Sequence, residues 1–217
     1  MPIAAARRLK VVLALALVSS LAACAGLSTL RNVTQPTDLY DLTPKSTYAD
    51  DLPSISAQVV VEEPTAVASV NTDRIAIKPN PYQVQYFPDA RWVDRAPVLV
   101  QTLLVESFEN TKHAASVGRL AIGLTPDFTL VTDLREFQAE VPANGEAPLI
   151  VNVRLNVKIV DEPEGHIIAS RSFDRVEKVG STQMNDVVKA FDEALGGTMK
   201  DAVEWTLHEI HAFAPSS

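Results

Sequence analysis

The chain has 217 residues, 47% of them hydrophobic, and 27 Asp and Glu against 19 Lys and Arg, for a formal charge of −8. That balance speaks against nucleic acid as a partner, since binding there rests on Lys and Arg neutralising phosphates, and against electrostatic docking on anionic lipid. The single cysteine, Cys24, excludes an intrachain disulfide, so a hydrophobic core must supply the stability.

Residues 1–23 read as a secretory signal. Arg7, Arg8 and Lys10 form a basic start, residues 11–18 an apolar run, and Ser19 and Ser20 precede Leu21-Ala22-Ala23-Cys24. The apolar run falls short of the ~20 residues a bilayer span needs. Leu9-Lys10 after the arginine pair fits the twin-arginine pattern poorly, so the general secretory route is favoured. The cysteine after Leu-Ala-Ala resembles the signal of bacterial lipoproteins. That resemblance implies cleavage before Cys24, a diacylglycerol on its thiol and an acyl chain on its new amine, with no other cofactor. Ala25, where an Asp would mark inner-membrane retention in many lipoproteins of this class, implies the periplasmic leaflet of the outer membrane. Losing three positive charges and no negative ones leaves −11 on the mature chain. Residues 24–37 carry no sustained period and read as an acylated tether.

Residues 38–213 then read as one domain. Tyr40 and Leu42 fall on one side of a short strand closed by Pro44. Residues 56–62 form a second strand around Val59-Val60-Val61. Residues 74–78 and 82–86 alternate cleanly around Asn80-Pro81, which reads as a hairpin. Residues 97–110 place Val100, Leu103, Leu104 and Phe108 on one helical stripe, with Pro97 tolerable in the first turn. Residues 112–125 stay undecided, with Pro126-Asp127 marking a turn after them.

Three strands follow, over 128–141, 149–159 and 167–179. The middle one alternates apolar residues from Leu149 to Ile159 with Asn152, Arg154, Asn156 and Lys158, the pattern of an antiparallel strand with one buried face. A shift of apolar phase between Leu134 and Phe137 predicts a bulge, and the third strand shows a similar shift. Asn144-Gly145 and Gly165 mark the turns. The chain closes with a helix over 184–212, its start capped by Ser181 or Thr182. Gly196-Gly197 predicts a kink or a join of two helices there, with close backbone packing the alternative. The fold class is α+β: a largely antiparallel sheet with two main helices packed on one face.

Chemical signatures are sparse. The sequence holds no G-x-S-x-G, phosphate-binding loop or H-E-x-x-H. His208, His211, Glu204 and Glu209 share the last helix, but a polar face on an amphipathic helix accounts for them more simply than a metal. Asp50-Asp51, Asp186, Asp192 and Glu193 read as solvated, and His113 and His166 as turn residues. Tyr82, Tyr86 and Trp92, with Phe87 and Tyr40, crowd the entry to the first helix. They serve either as core bolts or as a partner surface, for which aromatics are favoured.

Cys24 in its lipobox, Tyr40-Asp41-Leu42-Thr43-Pro44, Asp73-Arg74-Ile75-Ala76 with Tyr86, Trp92-Val93-Asp94 and the Leu103-Leu104 helix resemble the ABC-type transport auxiliary lipoproteins. The resemblance extends loosely through 149–159 to Trp205, with Asn71-Thr72 standing where many relatives have a Leu-Asp-like pair. It implies a non-catalytic outer-membrane lipoprotein assisting an MCE-domain protein and its ABC permease and ATPase in moving phospholipid between membranes. Only Cys24 carries over as a functional residue. Two other readings stay open: a lipid-binding chaperone with an acyl chain between helices and sheet, and an envelope-assembly lipoprotein independent of any transporter. Whether copies associate into a homo-oligomer is open too.

Overall fold

The strongest alternation in the sequence becomes the spine of the sheet. In the computed structural model, which describes residues 37–121 and 125–213, Leu149–Asp161 is a continuous strand. Its residues Leu149, Val151, Val153, Leu155, Val157 and Ile159 are all buried. The signal segment, Cys24 and the tether before Thr37 lie outside the described residues.

The described residues form eleven elements: strands β1 (Asp38–Tyr40), β2 (Ile55–Val61), β3 (Thr65–Ala66), β4 (Arg74–Asn80) and β5 (Gln83–Trp92), helix α1 (Ala96–Thr111), strands β6 (Ala114–Gly118), β7 (Phe128–Glu140), β8 (Leu149–Asp161) and β9 (His166–Val179), and helix α2 (Met184–Phe213). The fold class is α+β, as the sequence predicts. Strands β7, β8 and β9 form an antiparallel meander with near-continuous ladders. Gly145 and Gly165 turn it at φ 66°, where glycine carries no β-carbon penalty.

Both predicted bulges are present. The β7 register shifts between Leu134 and Glu136, so that Leu134 and Phe137 both reach the core. On β9 the extra residue is Ile168, between partners of Val160 and Ile159. Among the described residues β9 pairs only with β8. Its bulge and its Arg171, Asp174, Arg175, Glu177 and Lys178 are the devices that discourage further edge pairing.

The other edge of β7 departs from the antiparallel expectation. β2, β3 and β4 lie along it one after another, all parallel to it, opposite Phe128 to Leu130, Asp133 to Leu134, and Ala139 to Glu140. They behave as one interrupted strand, broken first at Pro64, which has no N–H to donate. β6 is also parallel to β2 and resolves the undecided segment as a strand. Lys112, at φ 61°, ends α1 in the left-handed conformation and sends the chain straight into β6. Long ladders are thus antiparallel and short ones parallel. Val59, Val60 and Val61 are all buried, the signature of a strand covered on both faces.

β5 pairs antiparallel with β4, but between the pairs Ala76 to Tyr86 and Arg74 to Arg91 it carries a bulge spanning residues 87–90, with Asp89 at φ 55°. β1 lies on its outer side, parallel, with Asp38 opposite Ala90 and Tyr40 opposite Trp92.

Both helices pack on the inner face. The α1 stripe of Val100, Leu103, Leu104 and Phe108 is fully buried, and Gln101 donates to the carbonyl of Val61 at 2.9 Å. α2 runs unbroken through Gly196-Gly197, so the predicted kink or join is not formed. Close packing takes its place. A β-carbon on Gly197 would run into the Arg175 side chain, whose Cζ would lie 2.8 Å away, and Arg175 reaches across to Asp201 at 2.9 Å. The Ser181 hydroxyl accepts from Gln183 N–H at 3.1 Å and donates to Asp186 at 2.5 Å, supporting the start of the helix.

Candidate functional site

The aromatics that crowd one stretch of sequence are divided by the fold. Trp92 is 1% exposed and stands between Phe137, 5.5 Å away, and Phe191, 5.1 Å away edge-on, tying β5, β7 and α2 together. A partner surface at Trp92 is therefore corrected: the side chain is a core bolt. Tyr86 is half-buried, with the Arg74 guanidinium 3.7 Å over its ring and its hydroxyl donating to the Ser69 carbonyl at 3.3 Å. Tyr82, at the tip of the β4–β5 hairpin, is 98% exposed. The tip is a built turn: Asn80 Oδ1 accepts from Tyr82 N–H at 3.0 Å, and Asn80 Nδ2 donates to Gln83 Oε1 at 3.1 Å. Cys24 lies outside the described residues.

The carboxylates read as solvated helix faces hold a strap that sequence reading did not foresee. Residues 41–54 cross both helices, sunk at Leu42 and Leu52. Asp192 on α2 accepts from the Thr43 N–H at 2.7 Å and its hydroxyl at 2.9 Å, and Glu204 accepts from Ala49 N–H at 2.9 Å. From α1, Ser107 Oγ accepts from Lys45 N–H at 2.9 Å, and Asn110 donates to the Lys45 carbonyl. Partners up to 155 residues apart leave no local signal in the sequence.

Among the described residues two groups have displaced titration, and structure accounts for both. Burial pushes the Tyr48 phenol up to about 12, partly opposed by its hydrogen bond to Ser107 and reinforced by the charge of Glu204. Burial also acts to raise the Glu136 carboxyl. Hydrogen bonds from Lys78 at 2.9 Å and Gln138 at 2.5 Å, with the charges of Lys78 and Arg154, outweigh it and hold the group below its ordinary value.

Among the described residues no three His, Cys, Asp or Glu side chains converge as a metal site. The Glu204 carboxylate is engaged by the strap and by Lys200, 3.7 Å away. His113 pairs with Ser54 at 3.1 Å, and His166 stands 3.8 Å from Asp161. The space between helices and sheet is filled where a carried acyl chain would need room: Val151, Val153, Leu155, Phe191 and Leu195 are each 0% exposed. Surface clefts include one of about 320 Å³ lined by Ile55, Phe128, Ile210 and Phe213, and a more polar one of about 410 Å³ beside Arg171 and Trp205. No helix among the described residues is long and apolar enough to cross a membrane.

An uncharacterized protein of Bradyrhizobium diazoefficiens is 33% identical over 171 residues, 77% of this chain and 44% of its own length, so the chain spans less than half of that relative. A crystal structure of a Xanthomonas campestris protein of the DUF330 family matches with a TM-score of 0.77 at 26% identity, covering 82% of this chain and 99% of that one. A second crystal structure, at 12% identity and a TM-score of 0.62 over 79% of this chain and 99% of its own, shares the fold. The family model described as ABC-type transport auxiliary lipoprotein component matches residues 39–203, nearly all of the described domain, and the chain belongs to that family.

Proposed function

We propose that this is a catalytically silent envelope lipoprotein, acylated on Cys24 and held at the periplasmic leaflet of the outer membrane. Signal residues 1–23 are removed, 24–37 form the tether, and the domain at 38–213 docks an MCE-domain protein whose ABC permease and ATPase move phospholipid between membranes. The observation that carries this reading is the family match across residues 39–203. One feature supports it: Leu21-Ala22-Ala23-Cys24 follows a run too short to remain in the bilayer. Two acyl chains suffice for stable anchoring where one is marginal.

A tether of 13 residues between Cys24 and Asp38 reaches at most about 45 Å, so a domain so held cannot touch an ATPase on the cytoplasmic side. Its part in transport is therefore that of a docking station. Two measurements test this. Cells fed labelled palmitate should mark the wild-type chain and not the Cys24→Ser variant; label that survives the substitution removes the anchor. Tagged mature chain should recover an MCE-domain protein from membranes, and its deletion should halt lipid traffic while leaving the purified transporter's ATPase intact. Loss of that ATPase activity would count against a docking role.

A further inference from the structure

We infer that the β4–β5 hairpin tip, centred on Tyr82, is a bilayer contact that orients the domain on the membrane holding its anchor. This rests on the anchored reading above. Three observations converge on it.

The first is chemistry. From Pro79 to Pro88 the chain carries no charged residue, in a protein with a surplus of carboxylates. Tyr82 projects from the tip, and Val84 and Val141 beside it are 41% and 48% exposed; Val141 N–H bonds the Lys78 carbonyl, which places it against the hairpin. A tyrosine with an apolar body and a polar end, among uncharged polar and aliphatic neighbours, suits the headgroup level of a bilayer.

The second is polarity along the sheet. β4 meets β7 at its last residues, so the tip lies at the Glu140 end. The opposite end carries Asp127, Asp161, Glu162 and Glu164, which anionic lipid repels. At the tip end the carboxylates stand beside lysines: Lys78 lies 2.9 Å from Glu136 and 4.0 Å from Glu140, one positive charge between two negative ones, and Lys178 pairs with Glu146.

The third is where the chain enters. β1 is parallel to β5 with Asp38 opposite Ala90, so β1 runs away from the tip and its first residue faces it. Ala90 is seven residue steps along the strand from Gln83, no more than about 24 Å. The 13 residues between Cys24 and Asp38 cover about 20 Å as a coil and twice that extended. A short tether supplies an effective concentration in the millimolar range, so a contact with a dissociation constant of about 1 mM is half occupied. One tyrosine and two valines suffice to orient a body that acyl chains already hold.

The experiment reads residue 82 directly. The mature chain with Cys24→Ser receives an N-terminal hexahistidine, is bound to phosphatidylethanolamine/phosphatidylcholine vesicles through a nickel-chelating lipid, and carries an environment-sensitive fluorophore on Tyr82→Cys or, as control, Glu164→Cys. The artificial anchor keeps the outcome independent of whether Cys24 is acylated, which the palmitate assay decides alone. We expect a blue shift and quenching by brominated lipid at 82, none at 164, little dependence on salt, and loss of the same signal from Val84→Cys when Tyr82→Asp is added. A probe at 82 that reports water on tethered vesicles, or equal signals at 82 and 164, overturns the inference. Shielding of 82 only when envelope membrane proteins are supplied would likewise overturn it, assigning the tip to a protein partner.

Discussion

β8 and β5 are both long strands, and the fold treats them in opposite ways. β8 has a ladder on each edge and one face against α2, so every second side chain is removed from water. β5 is bulged at 87–90; its inner part ends in Trp92 and its outer part, beyond Tyr86, has only β4 for company. The lesson is that burial here is decided strand segment by strand segment. The strand that ends in a core bolt at Trp92 begins next to Tyr82, the most exposed aromatic among the described residues, ten residues away.

Trp92→Ala gives the contrast its largest test. Removing the ring that links Phe137 and Phe191 should cost about 3–5 kcal/mol in urea unfolding. Gly197→Ala should cost about 1–3 kcal/mol, because the new methyl meets Arg175, although alanine is the better helix former. Adding Arg175→Ala should recover much of that loss, and a strictly additive pair would refute the close-packing account of Gly197.

Asp192→Ala should cost roughly 1 kcal/mol. Its clearer sign is faster amide exchange at Thr43, with β8 unchanged. For Glu136 the direction follows from its depressed titration. Its stabilising contribution is present above its ordinary value near 4.5 and is lost as pH falls through the lower folded value. Glu136→Gln should flatten the stability profile in that acid window. Smallest of all, Tyr82→Ala should move stability by no more than about 0.5 kcal/mol. A larger loss would mean the tip is structural and would erase the contrast between the two strands.

Much of this was readable from spacing. The meander, its two bulges, both helices and the hairpin follow from period-two and period-3.6 patterns, which are local. Three things were not. The direction of β2, β3 and β4 against β7 depends on a neighbour more than sixty residues downstream, and alternation carries no arrow. α2 continues through two glycines, and the space over one of them is taken by Arg175, a residue more than twenty positions upstream. The strap depends on pairs such as Thr43 with Asp192, 149 residues apart. Among the candidate residues, the sequence placed Tyr82, Tyr86 and Trp92 together, and the fold sets them apart: Tyr82 at the tip, Tyr86 before the bulge at 87–90 and Trp92 beyond it. The proposed acylation site, Cys24, was legible for the opposite reason: a signal-like segment is read by its linear order, not by its fold.

The parallel seating of β1 on β5 has a mechanical corollary. A pull on the chain ahead of Asp38, directed toward the hairpin, acts along the strand axis and loads the three residue pairs of that ladder in shear, so they must fail together, not one by one. Behind them, the Thr43–Asp192 clamp is next in series. The entry point is thus built to bear tension, as a body moored by one end while a partner tugs at it would require.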